Sequence, residues 1–267
     1  MEDLSDSDLL ERSRMLYQRM GDFLEVVLWG VVYAYVAWPL TERLAREWGQ
    51  DSKGERVACL RGGLDGIRTF EINREIETLA DEIAGDPSLN AWFDSSDPEV
   101  ILARLQREEK GTAFMKRVQA FLARCGHRFL GRDIRHATWR ERPETVIDMI
   151  RMNRGSDLCR KAFELQRQRR VESERALKDR VNRGVFGLPK WVLFSLVLSN
   201  DRKYFVLREN MRYFADIYLE QFRRLYLEMG RRWESEGILQ GAEEIVFLRR
   251  EEIEEARTAC TDVSQRV

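Results

Sequence analysis

Apolar residues recur every three or four positions over a long stretch near the C-terminal end of the chain. Within residues 201–233 they form one stripe along a helix: Leu207, Met211, Phe214, Tyr218, Phe222, Leu225 and Met229. Only 5 prolines and 17 glycines interrupt the 267 residues, and long helices need less of this punctuation than strand-rich domains do. The pattern therefore predicts an all-α fold, with one large helical domain over residues 1–256 and a tail or linker at 257–267.

Similar periodicity predicts further helices over residues 69–83, 98–107, 112–125, 143–152 and 160–183. Ser5 or Asp6 is suited to cap a first helix. Residues 185–189 should end the helix that precedes them, and residues 191–198 are apolar enough to be fully buried. The sequence allows at most one exception to helix, a short strand or hairpin near residues 244–248.

Charge and cysteine content restrict the function classes. The chain has 45 basic and 46 acidic side chains, a net charge of -1, so no global field recruits nucleic acid. The cysteines are widely spaced and form no CxxC pair: Cys59, Cys125, Cys159 and Cys260. This spacing argues against a metal cluster and favours a reducing compartment. We expect a cytoplasmic protein without a metal site.

Residues 23–40 form an apolar run that allows two interpretations. The run contains Glu25 and is slightly short of the ~20 apolar residues that cross a bilayer. It can be a buried core helix or a membrane span. We expect a core helix inside a soluble fold, with no membrane contact.

Arg208 and Arg212 are four residues apart, so on a helix they project from one face. Two guanidiniums held in this way can clamp a phosphate and neutralise charge that develops during its transfer. The alternative is that both are ordinary solvated arginines of a charged helix, and spacing alone favours this alternative.

Two glycine-flanked segments complete the set of candidate sites. Gly126 and Gly131 bracket His127 and Arg128 in what reads as a tight loop that presents side chains to a cleft, or as a plain connector. Neither His127 nor His136 lies in a catalytic or metal pattern, which favours structural histidines. Residues 61–66 lack the order of a phosphate-binding loop and read as a turn.

The order of several motifs resembles the helical acceptor-binding domain of phosphoenolpyruvate-synthase-like dikinases and rifampin-phosphotransferase-like enzymes. The motifs are LRGGLDG at residues 60–66, ETLA at 77–80, FLARCGHR at 121–128, LRENMRY at 207–213, and a tail with GIL at 237–239 and EEIVFL at 243–248. The resemblance covers nearly the whole chain, and the order of the motifs is more specific than any one of them.

The resemblance implies roles for individual residues. Arg208 and Arg212 match a catalytic basic pair that faces a phosphohistidine and the acceptor oxygen. Arg128, His127 and Asn210 match positions that bind substrate.

The apolar run gains a second interpretation from the same resemblance. Trp29, Tyr33 and Trp38 match helices that wall a hydrophobic acceptor pocket, although core packing is the more common fate of such aromatics.

The chain departs from the family pattern at two positions. The family often has lysine at the position of Arg212, and arginine is a poor proton acceptor because it stays protonated. The family also places a glutamate where this chain has Arg132, which puts the usual acceptor chemistry in doubt.

In such enzymes an ATP-grasp domain charges a histidine on a swivelling domain, which then visits the acceptor domain. The resemblance thus implies a phosphotransferase component that is inactive alone, binds no cofactor itself, and depends on partners that hold ATP and Mg. Its acceptor would be a small molecule with an apolar body. The alternative is a binding module, for a small molecule or a protein, that has lost the chemistry.

Overall fold

The computed structural model describes residues 4–95, 97–131, 133–183 and 185–253, and these residues are helical and connected by short turns. The α-helices within them are α1 (Asp6–Gly49), α2 (Arg68–Gly85), α3 (Pro87–Trp92), α4 (Pro98–Arg107), α5 (Glu109–Cys125), α6 (Glu144–Met152), α7 (Leu158–Val181) and α8 (Gly187–Ser235). The described part of the chain contains no strand, and one isolated antiparallel bridge joins Phe129 and Thr138. The predicted all-helical fold is confirmed.

The short strand or hairpin that the sequence allows near residues 244–248 does not form. A 3-10 turn, Ala242–Phe247, occupies this segment. Its two adjacent residues Ile245 and Val246 are both buried in the same core, whereas successive residues of a strand point to opposite faces.

Helix α1 begins at a capping box. The Ser5 hydroxyl accepts from the Asp8 amide at 3.2 Å, and an Asp8 carboxylate oxygen accepts from the Ser5 amide at 2.9 Å. The helix continues through Pro39 to Gly49. The apolar run is therefore the middle of one long helix.

Helix α8 joins two segments that the sequence analysis separated, residues 191–198 and 201–233. Pro189 does not interrupt it because the residue lies in the first turn, where a missing amide hydrogen leaves no helical hydrogen bond unmade. The expected full burial of residues 191–198 is wrong, since Val192, Leu193 and Leu196 are about half exposed.

The chain divides into two compact units. Unit 1 comprises residues 1–23, 102–146 and 213–267, and unit 2 comprises residues 24–101 and 147–212. Helices α1 and α8 contribute to both. The predicted tail at 257–267 lies outside the described residues, as does Arg132.

Each unit has its own apolar core. In unit 1 the beginning of α1 and the end of α8 contribute buried residues that include Leu9, Phe222, Met229 and Trp233. In unit 2 the core brings together α1, α7 and α8 through Ala45, Leu177, Phe194 and Leu198, among others.

The unit 2 portions of α1 and α8 pack as an antiparallel pair. Gly30 lies directly against Leu207, and a Cβ atom at Gly30 would be 2.7 Å from the Leu207 Cδ2 atom. One turn away, the rings of Tyr33 and Tyr204 stack with centroids 4.9 Å apart. The absent side chain at Gly30 allows this close approach.

The expectation that residues 23–40 lie inside a core is wrong. Among the described residues, α1 is long and apolar enough to cross a membrane. Only 17% of its most apolar stretch is buried. Val27, Gly30 and Ala34 face inward. Most of the remaining side chains in the run are exposed, because α8 covers only one side of the helix.

The glycine-rich segment 61–66 is a turn, as predicted, and it is fixed by arginines in unit 2. Arg61 forms a two-point ion pair with buried Asp201 and lies 3.9 Å over the ring of Trp38. Arg170 donates to the carbonyl oxygens of Gly62 and Gly63 at 2.9 and 3.1 Å. The segment connects helices and carries no phosphate-binding loop.

Candidate phosphoryl acceptor site

Arg208 and Arg212 lie on α8 at the end of unit 2. The Arg208 guanidinium donates to the Glu209 carboxylate at 2.6 Å and lies 5.1 Å from the Phe205 ring centre. Its side chain is 37% exposed, and Arg212 is exposed as well. Both cations are therefore within reach of a ligand from solvent.

Asn210 stands between the two arginines but serves another purpose. It is buried, its side-chain oxygen accepts from the Arg68 amide at 2.8 Å, and its amide nitrogen donates to the Gly66 carbonyl at 2.7 Å. The Asn210 side chain thus caps the first turn of α2 from a different helix. Residues two positions away on a helix point to nearly the opposite side, so this anchored residue turns Arg208 and Arg212 outward.

The three aromatic residues assigned to an acceptor wall have different environments. Trp29 and Tyr33 are 57% and 51% exposed. Trp38 is half-buried, packed against the core of unit 2 and covered by Arg61. Exposed Trp29 and the part of the Tyr33 ring that does not stack on Tyr204 can therefore contact an apolar ligand, whereas Trp38 is half-buried with Arg61 over its ring.

The basic pair and the exposed aromatics share one helix pair. Leu207, next to Arg208, packs on Gly30, next to Trp29. Tyr204, one turn before Arg208, stacks on Tyr33. The antiparallel packing thus brings Arg208 to the level of Trp29 on the facing helix.

Arg128 belongs to unit 1, in the loop between α5 and α6. This loop closes on itself, since the Trp139 amide donates to the Arg128 carbonyl at 2.8 Å and the Arg140 amide to the Gly126 carbonyl at 2.9 Å. The Arg128 guanidinium lies 3.4 Å from a carboxylate oxygen of buried Asp216. Arg128 is therefore ion-paired within its own unit.

His127 is buried in the same loop. Its ring meets the edge of Tyr213 at a centroid distance of 4.6 Å, and its Nε2 atom has no hydrogen-bond partner among the described residues. Burial lowers the pKa of His127 below its usual value; nearby Arg128 and Arg140 lower it further, while Glu220 opposes them. This environment is that of a neutral structural histidine.

A row of buried charges on α8 in unit 1 was not predicted from the sequence. Asp216 pairs with Arg128, Glu220 accepts from Arg140 at 2.8 Å, and Arg223 donates to Glu141 at 2.9 Å. The α8 members are Asp216, Glu220 and Arg223, spaced at four and three residues. Their spacing in the sequence could have indicated a shared helix face, but a solvated face has the same spacing. Only the contacts with the loop between α5 and α6 show that this face is buried.

The predicted meeting of Arg128 with Arg208 and Arg212 stays a prediction. The structure assigns Arg128 to unit 1 and the pair to unit 2.

Within the described ranges no group of three or more histidine, cysteine or acidic side chains is placed to hold a metal ion. The arrangement in unit 2 can bind an anionic group next to an apolar body.

Comparison with known proteins agrees with the resemblance. The model of the rifampicin phosphotransferase fourth domain matches residues 26–209, which takes in Trp29, Tyr33 and Arg208 and stops before Arg212. An uncharacterized phosphotransferase, YvkC, of Bacillus subtilis is 24% identical over 81% of this chain and 26% of its own length.

Two further relatives match this chain over a smaller share of their own length. Rifampicin phosphotransferase of Bacillus cereus is 25% identical over 70% of this chain and 22% of its own length. Chondramide synthase cmdD of Chondromyces crocatus is 26% identical over 71% of this chain and 5% of its own length. The chain spans about a quarter or less of these relatives. Because the family model covers more than half of the chain, the protein belongs to the family of the rifampicin phosphotransferase fourth domain.

Proposed function

We propose that this chain is the acceptor-binding component of a phosphotransferase and receives a phosphoryl group from a phosphohistidine domain. That domain would lie on a separate chain or on a segment beyond this sequence. The observation that carries the proposal is the helix pair of unit 2, in which accessible Arg208 lies at the level of exposed Trp29 and Tyr204, one turn before Arg208, stacks on Tyr33.

Each part of this surface has a task in such a reaction. Trp29 and Tyr33 bury the apolar body of a small acceptor, with the area of large aromatic rings as the main source of affinity. Arg208 and Arg212 neutralise the charge that develops on the phosphoryl oxygens. The pair stays protonated, so the proton of the acceptor hydroxyl has to leave to another group or to water.

The remaining components belong to partners. An ATP-grasp protein with ATP and Mg would charge the histidine of a swivelling protein, and this chain would bind no cofactor itself. The reaction would take place in the cytoplasm, without nucleic acid. Within this chain, the ion pair with Glu209 would satisfy the Arg208 guanidinium until an anionic phosphohistidine displaces the Glu209 carboxylate.

A second candidate is a binding module that retains the pocket without the chemistry. The ion pair of Arg128 with Asp216 favours it, because Arg128 is then less available to a phosphate. The Arg132 substitution for the family glutamate points the same way. Under this alternative the aromatic surface binds its ligand, and no phosphoryl group moves.

The test uses a purified phosphohistidine-domain protein charged with radiolabelled phosphate. We expect this chain to accelerate loss of the label from histidine in the presence of an acceptor with an apolar body, with rifampicin as the first compound in the panel. Label should appear on the acceptor. With ATP alone the chain should transfer nothing, since its sequence has no phosphate-binding loop. Binding of a panel compound without label transfer would favour the binding module.

A further inference from the structure

The connection from α7 to α8 exposes a series of apolar side chains in unit 2. Before and within the first turn of α8 these are Val185, Phe186 and Leu188, which are 97%, 69% and 71% exposed. The same surface continues along α8 through Val192, Leu193 and Leu196. Large exposed apolar patches are uncommon on soluble monomers and often mark interaction sites, so this surface is a candidate contact for a partner.

Between residues 180 and 200 the charged side chains have one sign, whereas the adjoining part of α7 carries Glu174 and Asp179 near Trp191. The 21 residues from Arg180 to Asn200 include Arg180, Arg183 and Lys190 and no acidic residue, although acidic and basic side chains are nearly equal in the whole chain. Arg183 and Lys190 are exposed beside the apolar residues. The partner is therefore apolar at its centre and anionic at its surface.

Two tryptophans with cations over their rings flank the same region. The Lys178 ammonium lies 6.0 Å from the Trp191 ring centre, and the Lys190 ammonium lies 5.8 Å from the Trp48 ring centre. Tryptophan and lysine together are typical of the boundary between lipid headgroups and acyl chains.

We propose that this α7–α8 surface, residues 183–196 without Gly184, docks peripherally on an anionic lipid bilayer. Phe186, Leu188 and their neighbours would enter the headgroup boundary, and Arg183 and Lys190 would contact lipid phosphates. An anionic bilayer satisfies both requirements at once, because it presents negative charge above an apolar interior. The contact departs from the sequence expectation of no membrane partner, but it needs no spanning helix.

The inference is independent of the phosphotransferase proposal, because it uses none of the residues of the acceptor surface. Its test measures sedimentation of the purified chain with vesicles. We expect binding to vesicles of equal parts phosphatidylcholine and phosphatidylglycerol, weak binding to phosphatidylcholine alone, and release at high salt.

Two variants and two matched controls locate the contact. The double variant Phe186→Ser, Leu188→Ser should lower the vesicle partition coefficient about tenfold or more, because both side chains lose their apolar insertion. The double variant Arg183→Glu, Lys190→Glu should remove the preference for anionic vesicles. Met152→Ser, an exposed apolar residue of unit 2, and Lys110→Glu, an exposed cation of unit 1, should leave binding unchanged. Circular dichroism of each variant checks that the helices persist.

Equal sedimentation with both kinds of vesicle, or unchanged binding of the two surface variants, would overturn the proposal. So would a concentration-dependent dimer in light scattering that the Phe186→Ser, Leu188→Ser variant abolishes, because the surface would then be an interface between copies of this chain.

Discussion

His127 illustrates how burial decides the role of a residue whose neighbours in sequence suggest chemistry. The ring packs on Tyr213 with a Nε2 atom that has no partner among the described residues, and burial lowers its pKa. As the pH falls below about 6.5, the unfolded chain binds a proton at this position before the folded chain does. Stability should therefore decrease as the pH falls through this range.

The measurement for His127 is the free energy of unfolding by urea between pH 7.5 and pH 5. His127→Gln should flatten the decrease relative to the natural chain, provided that the variant folds. His136→Gln is the matched control, because it makes the same substitution at an exposed histidine. An equal flattening by both variants would contradict this account of His127.

Glu77 has a structural task that its position in the ETLA motif does not reveal. It is buried, and its carboxylate accepts from the amides of Cys159 and Arg160 at 2.6 and 3.1 Å. It thus caps α7 from α2. Glu77→Ala should lower the free energy of unfolding by about 2 kcal/mol or more, because two amides at a helix start lose their acceptor.

The control for Glu77 is Glu71→Ala on the same helix. Glu71 forms an exposed pair with Arg68 at 2.7 Å, and the loss of such pairs typically changes stability by less than about 1 kcal/mol. Comparable losses in the two variants would show that capping by Glu77 is unimportant.

Residue roles were predictable from the sequence only where they depend on local spacing. Arg208 and Arg212 share a helix as their spacing required. The cap by Asn210, the ion pair of Arg128 and the buried row at Asp216, Glu220 and Arg223 depend on segments far away in sequence. Periodicity along one helix contains no information about these partners.

At the scale of elements, the connection at residues 61–66 depends on one glycine that touches α7. Gly63 has a φ of +56°, and a Cβ atom there would lie 2.4 Å from the Arg167 backbone nitrogen. Gly63→Ala should destabilise the fold by about 2 kcal/mol or more, because left-handed strain adds to a clash with backbone.

The matched substitution is Gly85→Ala at the end of α2. No atom lies within 4 Å of the added carbon, so the change in stability should stay within about 1 kcal/mol. Thermal unfolding of both variants measures the difference, and a neutral Gly63→Ala would contradict the packing of this turn.

Helix bounds were predictable where caps and prolines mark them, as for α4 at Pro98–Arg107. The long helices were not divided as expected. Residues 185–189 read as a break, yet α7 ends at Val181 and α8 begins at Gly187, with Pro189 in its first turn. Burial was also not predictable at this scale. An apolar run such as residues 23–40 indicates a surface that is stabilised by contact, but it does not indicate whether this chain or a partner provides that contact.

At the scale of the whole molecule, α1 and α8 of unit 2 both expose apolar side chains, and α8 also carries exposed cations. The chain belongs to the family of the rifampicin phosphotransferase fourth domain and spans about a quarter or less of its relatives' length. We propose that the chain works with other domains, and that Arg208 and Arg212 act on a phosphoryl group that those domains deliver.

The most direct measurement of this claim is the single-turnover rate at which a labelled phosphohistidine domain loses its phosphate to an acceptor on this chain. Arg208→Ala should slow this step by about 100-fold, because one preorganised charge is removed from the developing anion. Arg212→Lys should retain most of the rate, since the positive charge stays. Lys203→Ala, an exposed cation on the same helix, should react as the natural chain does. Equal rates for Arg208→Ala and Lys203→Ala, with circular dichroism unchanged, would contradict the claim and leave a surface that binds without catalysing transfer.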